Sequence, residues 1–128
     1  MTNDELNRLS KEILDASIAV HKAMGPGLLE SIYVLCLLHE LRSRGINVLS
    51  EVSIPLMYKA IALSKDFRID ILVEQEIIIE IKSVEVLLPV HQAQIISYLK
   101  LADKSLGFLI NFNVPLLKDG FKRFVNNF

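Results

Sequence analysis

One cysteine, Cys36, and no tryptophan occur in 128 residues. A lone thiol cannot close an intrachain disulfide, and it leaves a zinc ribbon without its ligands. The chain also lacks any run near the ~18 apolar residues that a membrane helix requires. It carries no excess of basic charge: the formal net charge is −1 and the pI about 6.3, so a nucleic-acid surface, if present, has to be local. The opening MTNDELNRLSKEILD is polar and acidic, unlike the basic-then-apolar layout of a secretory signal. With a single free thiol, these absences point to a reducing, cytoplasmic setting and to no membrane partner.

What is present is apolar. Hydrophobic residues make up 52% of the chain and mean hydropathy is +0.40, which excludes a disordered segment. The length suits a single domain over 1–128. So high an apolar share in a small domain suggests that some of it serves a homo-oligomer or a partner protein.

Thr2 followed by Glu5 fits a helix-capping box. Leu6, Leu9, Ile13, Ala16, Val20 and Met24 then recur at helical spacing. Gly25-Pro26-Gly27 ends that helix. A second helix is expected from about Leu28 to Arg44, with Gly45 as its left-handed cap. INVLSEVSIPLMYKAIAL reads as extended segments in which Pro55 marks an edge or a bulge. Two strands follow, FRIDILVE and EIIIEIK, then a helix from Pro89, a buried strand LGFLINF and a last strand FKRFV. This order predicts a mixed α/β domain with a largely antiparallel meander flanked by helices.

The two charged strands carry the chemistry. Glu74-Gln75-Glu76 is the only polar break between them, and a hairpin centred on Gln75 sets residue i opposite residue 150 − i. Asp70 then faces Glu80 and Arg68 faces Lys82. Alternation puts these four on one face and Ile69, Ile71, Val73, Ile77, Ile79 and Ile81 on the other. Two carboxylates ~5 Å apart repel unless something cationic intervenes. A register slip would expose the isoleucines, so the core pins the pairing. An amphipathic hairpin with a solvated charged face is the plainer alternative. Leu72 and Ile78 share the charged face near the turn, however, which implies that part of it is covered.

Asp70 with Glu80-Ile81-Lys82 resembles the D…ExK signature of the PD-(D/E)xK nucleases. Gly27-Leu-Leu-Glu30-Ser-Ile-Tyr33 is similar to the pattern that names the GxxExxY family within them. Gln94-Ile-Ile-Ser-Tyr98 resembles the QxxxY motif of the RecB-like branch, and GFLINFNVPLLKDGFKRFV is similar to the family's closing region. The resemblance runs from about Ile13 to Val125 and departs from the pattern around KAIALSKDF, where a glycine is often expected.

The resemblance implies a restriction-endonuclease-like fold and a Mg²⁺- or Mn²⁺-dependent hydrolase acting on nucleic acid, with DNA favoured. It implies that Asp70, Glu80, Glu30 and the Ile81 backbone carbonyl hold the metal, and that Lys82 orients or activates the attacking water. Gln94 and Tyr98 are implied as an auxiliary pair. Tyr33 is a further candidate, better suited to packing or to orienting Glu30 than to chemistry, and His91 is another, one turn before Gln94 on the same helix. A hard cation of this kind takes oxygen ligands and keeps several waters, so two carboxylates and a carbonyl suffice. The alternative is a module that keeps the fold but binds nucleic acid or a protein without cutting.

Overall fold

A computed structural model describes all 128 residues. Helix α1 spans Asn3–Met24 and α2 spans Glu30–Ser43. Strands β1 (Val48–Tyr58), β2 (Ile61–Val73) and β3 (Ile77–Lys82) follow as a meander. Helix α3 (Pro89–Leu101) then crosses over to β4 (Leu106–Asn111), and a single turn, α4 (Leu117–Gly120), leads into β5 (Phe121–Val125). The five strands lie in sequence order, antiparallel except for β3 and β4, which run parallel. A parallel pair needs a crossover, and α3 supplies it. This is the expected mixed sheet flanked by helices. No helix is long and apolar enough to cross a membrane.

Thr2 caps α1, its Oγ accepting the Glu5 N–H at 3.1 Å. The stripe of α1 is buried through Val20, while Met24 at its end is exposed. Ser17 joins the buried face because its hydroxyl donates to the Ile13 carbonyl of its own helix at 2.7 Å. Helix α2 starts at Glu30, two residues later than expected, and ends as expected with Gly45 at φ +77°.

Helices α1 and α2 cover one side of the sheet and enclose the main core, which includes Ile13, Leu37, Ile71, Ile79 and Phe108. Helix α3 covers the other side over a smaller cluster of Ile69, Leu72, Ile78 and Leu99. With both sides covered, β3 and β4 are buried along almost their whole length, and Glu80 and Lys82 are the only charged residues in either strand. Gly107 lets α3 approach β4: an added Cβ would stand 3.1 Å from Ile95 Cδ1 and 3.2 Å from Leu99 Cδ2.

β1 is an edge strand whose register with β2 shifts between Pro55 and Met57, the irregularity that Pro55 announces. β2 begins at Ile61, six residues before the expected strand, so β1 and β2 form a long hairpin. Its turn places Lys59 and Ala60 at φ +50° and +63° without a glycine, which removes the usual hairpin signal.

The candidate active site

The hairpin register is the expected one near the turn, with Val73↔Ile77, Leu72↔Ile78 and Ile71↔Ile79 paired. The ladder stops there. Instead of an Asp70–Glu80 backbone pair, the Asp70 N–H donates to Glu80 Oε2 at 2.9 Å, and the Ile81 N–H donates to Asp70 Oδ2 at 2.8 Å. Each carboxylate therefore replaces a ladder bond of the other strand and keeps its second oxygen uncommitted to these two bonds.

The expected facing of Ile69 and Arg68 is corrected at this point. Val48, Ile71 and Val73 pack toward α1 and α2, whereas Val52, Phe67 and Ile69 pack toward α3. Regular alternation would keep Ile69 with Ile71, and Val52 with Val48. Both strands thus invert their facing, between Ser50 and Val52 on β1 and between Ile69 and Ile71 on β2. Glu51 takes φ +50° at the inversion, and the register is the same on either side of it (Ser50↔Ile71, Val52↔Ile69). Arg68 is paired with Ser53, and its guanidinium lies 3.9 Å from Glu51, away from Lys82.

Glu80 is only 5% exposed. Burial, reinforced by the Asp70 charge, pushes its carboxyl up to about 9, while the Lys82 charge works in the opposite direction. Lys82 is half-buried, and no carboxylate comes within 4.0 Å of its ammonium. The Phe112 N–H donates to the Lys82 carbonyl at 3.0 Å, so the backbone polar groups of Lys82 face β4. Alternation then turns those of Ile81 toward β2, where the ladder has ended.

On α3, Tyr98 stacks on Phe67, with ring centroids 4.8 Å apart. Burial raises its phenol pKa, and the Glu80 and Asp70 charges raise it further, while hydrogen bonding with Gln94 lowers it. Tyr98 and exposed Gln94 therefore belong to the same neighbourhood as the two acids. Glu30, the first residue of α2, is exposed and lines a cavity of about 570 Å³ together with Glu51 and Asp70.

Tyr33 packs and braces the loop before Glu30, the role better suited to it, and His91 is engaged at the start of α3. Tyr33 is fully buried and stacked on Phe112; its hydroxyl donates to the Gly25 carbonyl and accepts the Leu28 N–H. It fastens the Gly25–Gly27 loop ahead of Glu30 and is not placed to touch substrate. His91 accepts the Leu88 N–H on Nδ1 at 3.0 Å and so caps α3. Sequence reasoning passed over Asn111 and Ser83, which tie down the chain just after Lys82. The available signal was the single carboxamide interrupting the apolar run LGFLINF.

The sequence matches the PD-(D/E)XK nuclease superfamily over residues 7–124, and the chain belongs to that superfamily. Among solved structures, the fold is similar to that in "Crystal structure of SSO0001", at 23% identity and a TM-score of 0.52. That likeness covers 73% of this chain and 47% of the other, so the chain matches about half of that protein's length. No curated protein matches the chain.

Proposed function

We propose that the protein is a divalent-metal-dependent nuclease hydrolysing phosphodiester bonds of nucleic acid, DNA in preference to RNA. The observation that carries this reading is the pairing of half-buried Asp70 with buried Glu80, each acid bonded to backbone beside the other, with no ion-paired cation beside them.

The donor set fits Mg²⁺ or Mn²⁺. The oxygens that remain on Asp70 and Glu80 and the Ile81 carbonyl are hard donors, as such ions prefer. No group of three or more His, Cys, Asp or Glu side chains could hold a metal, so most of the coordination shell is left to water and substrate. That suits Mg²⁺, which dehydrates reluctantly. Glu30 acts from across the cavity, through a water. When bound, the ion supplies Lewis-acid polarisation of the phosphate and a lowered pKa for its water.

Lys82 orients the attacking water and offsets the charge that grows on the phosphoryl oxygens. Tyr98 stays protonated across the working pH range and donates to a phosphate oxygen, with Gln94 holding the phenol in place. In this reading Gly27–Tyr33 is the GxxExxY element: Glu30 serves the site and Tyr33 fixes the loop that presents it.

The test is cleavage of plasmid, linear duplex, single-stranded DNA and RNA in Mg²⁺, Mn²⁺ or chelator. Cutting should require a divalent ion and disappear in Asp70→Ala, Glu80→Ala and Lys82→Ala while the far-UV circular dichroism persists. Nucleic-acid binding that is equal in chelator, with no product under any condition, would instead establish a non-cutting binding module.

A further inference from the structure

The chain leaves β3 at Lys82 and is held at three successive residues. The Lys82 carbonyl accepts the Phe112 N–H, and the Ser83 hydroxyl donates to the Leu28 carbonyl at 2.6 Å. Val84 is gripped twice by Asn111: its N–H donates to Oδ1 at 3.1 Å, and its carbonyl accepts from Nδ2 at 2.8 Å. Asn111 is the last residue of β4, the register partner of Lys82, and only 2% exposed. Its Oδ1 also accepts the Asn113 N–H at 3.2 Å.

A buried carboxamide is expensive to desolvate unless its hydrogen bonds are made, and here both ends are used. Its neighbours Ile110 and Phe112 are apolar and buried. The main chain of Asn111 is confined from a second side, because a Cβ added to Gly120 would come within 2.1 Å of the Asn111 carbonyl oxygen. The Lys82 ammonium, by contrast, has no ion-pair partner to fix it. Its location therefore depends on where the backbone delivers it. A misplacement of ~1 Å in a reacting constellation can lower the rate ~10²-fold.

We propose that Asn111 is a positioning residue for Lys82: its two-point grip on Val84, with the Ser83–Leu28 bond, fixes the end of β3 against the loop that carries Glu30. The kinetic part of this proposal rests on the nuclease reading; the placement of Lys82 does not. The role is indirect, since Asn111 bonds only to backbone.

Asn111→Leu keeps the branched heavy-atom shape, with somewhat more bulk, and removes the grip. Leu6→Ala, in the buried stripe of α1 and outside the hydrogen bonds around Asn111, serves as a control for loss of stability alone. Two readouts are taken on the full chain. In Mg²⁺-dependent cleavage, N111L should lower kcat at least ~10-fold with KM within ~2-fold, whereas L6A should leave kcat unchanged below its melting range. In ¹³C-dimethyl-lysine NMR, with the Lys82 signal assigned through Lys82→Arg, wild type and L6A should give one dispersed Lys82 signal that shifts with Mg²⁺. In N111L that signal should move to the position of a solvated lysine and lose its response.

If N111L does not fold, Asn111→Ala, which loses the grip without adding bulk, and Ser83→Ala, which loses the Leu28 bond, replace it with effects of the same sign. Should wild type cut no nucleic acid, the nuclease reading fails and the Lys82 signal alone decides this proposal. A folded variant with a wild-type Lys82 signal overturns it, as does unchanged kcat in an active protein. Asn111 would then serve stability only.

Discussion

Glu80→Gln offers the sharpest quantitative test of the acid pair. The Glu80 carboxyl, ordinarily near 4.5, is raised to about 9 by burial and by Asp70. A group held more tightly protonated in the folded than in the unfolded state makes stability fall as pH rises between those two values. At pH 7, about 2.5 pH units above the ordinary value, retaining that proton costs the folded protein about 3–4 kcal/mol at most, at ~1.4 kcal/mol per unit. Glutamine has nearly the same shape, carries no charge and can still accept the Asp70 N–H through its carbonyl. In chelator, urea unfolding followed by circular dichroism should therefore show wild type losing stability from pH 5 to pH 8. E80Q should stay nearly flat and exceed wild type at pH 7 by up to ~3–4 kcal/mol. Saturating Mg²⁺ should reverse the order, because the ion stabilises only the protein that binds it. Calorimetry should find that Mg²⁺ uptake by wild type releases a proton near neutral pH, with apparent affinity rising roughly tenfold per pH unit toward pH 9. Wild-type stability that is flat with pH in chelator, or an E80Q variant weaker than wild type both with and without the ion, would refute the reasoning.

Other substitutions separate chemistry from architecture. Lys82→Ala should leave Mg²⁺ affinity within a few-fold, measured by calorimetry, while lowering cleavage by ~10²-fold or more. Gly120→Ala should destabilise by about 1–3 kcal/mol or more in urea unfolding, because its Cβ would meet the Asn111 carbonyl at 2.1 Å. Gly107→Ala should cost less, since its tightest contact, at 3.1 Å, is with the movable end of Ile95. Tyr33→Phe should lose about 1–2 kcal/mol in thermal or urea unfolding, because the Leu28 N–H and Gly25 carbonyl lose their shared partner.

The elements that sequence disclosed were those governed by strong local rules. The α1 stripe, the left-handed cap at Gly45 and the turn centred on Gln75 each follow from a spacing or a residue type. The first half of β2 did not, because its turn at Lys59-Ala60 uses left-handed backbone on residues that rarely mark one. Tyr33 and His91 carried a motif position or a suggestive place on a helix. The Tyr33 hydroxyl reaches Gly25 and Leu28, which no spacing rule specifies, and His91 bonds back to Leu88 at capping-box spacing, which an apolar residue at the cap position disguises. Asn111 was overlooked for a related reason: its partner Val84 lies 27 residues away and is visible only once β3 and β4 are parallel.

The facing of Ile69 had a different origin. Strict alternation is the right prior for a half-buried strand, and it holds from Ile71 to Val73 and from Ile77 to Ile81. It breaks at Asp70 and Glu51, on two adjacent strands at once. A continuous β2–β3 ladder would bond the amides of Asp70 and Ile81 to backbone carbonyls and would engage the Ile81 carbonyl in the sheet. Here those amides bond to the two carboxylates, so the acids are anchored without a cation and the carbonyl of Ile81 is left facing the gap. The irregularity that defeats alternation is thus the feature that brings the two carboxylates together. An apolar hairpin can hold two acids there because each is bonded to the other strand's backbone and Glu80 keeps its proton at neutral pH; under the proposed function, a divalent cation would take the place of that proton.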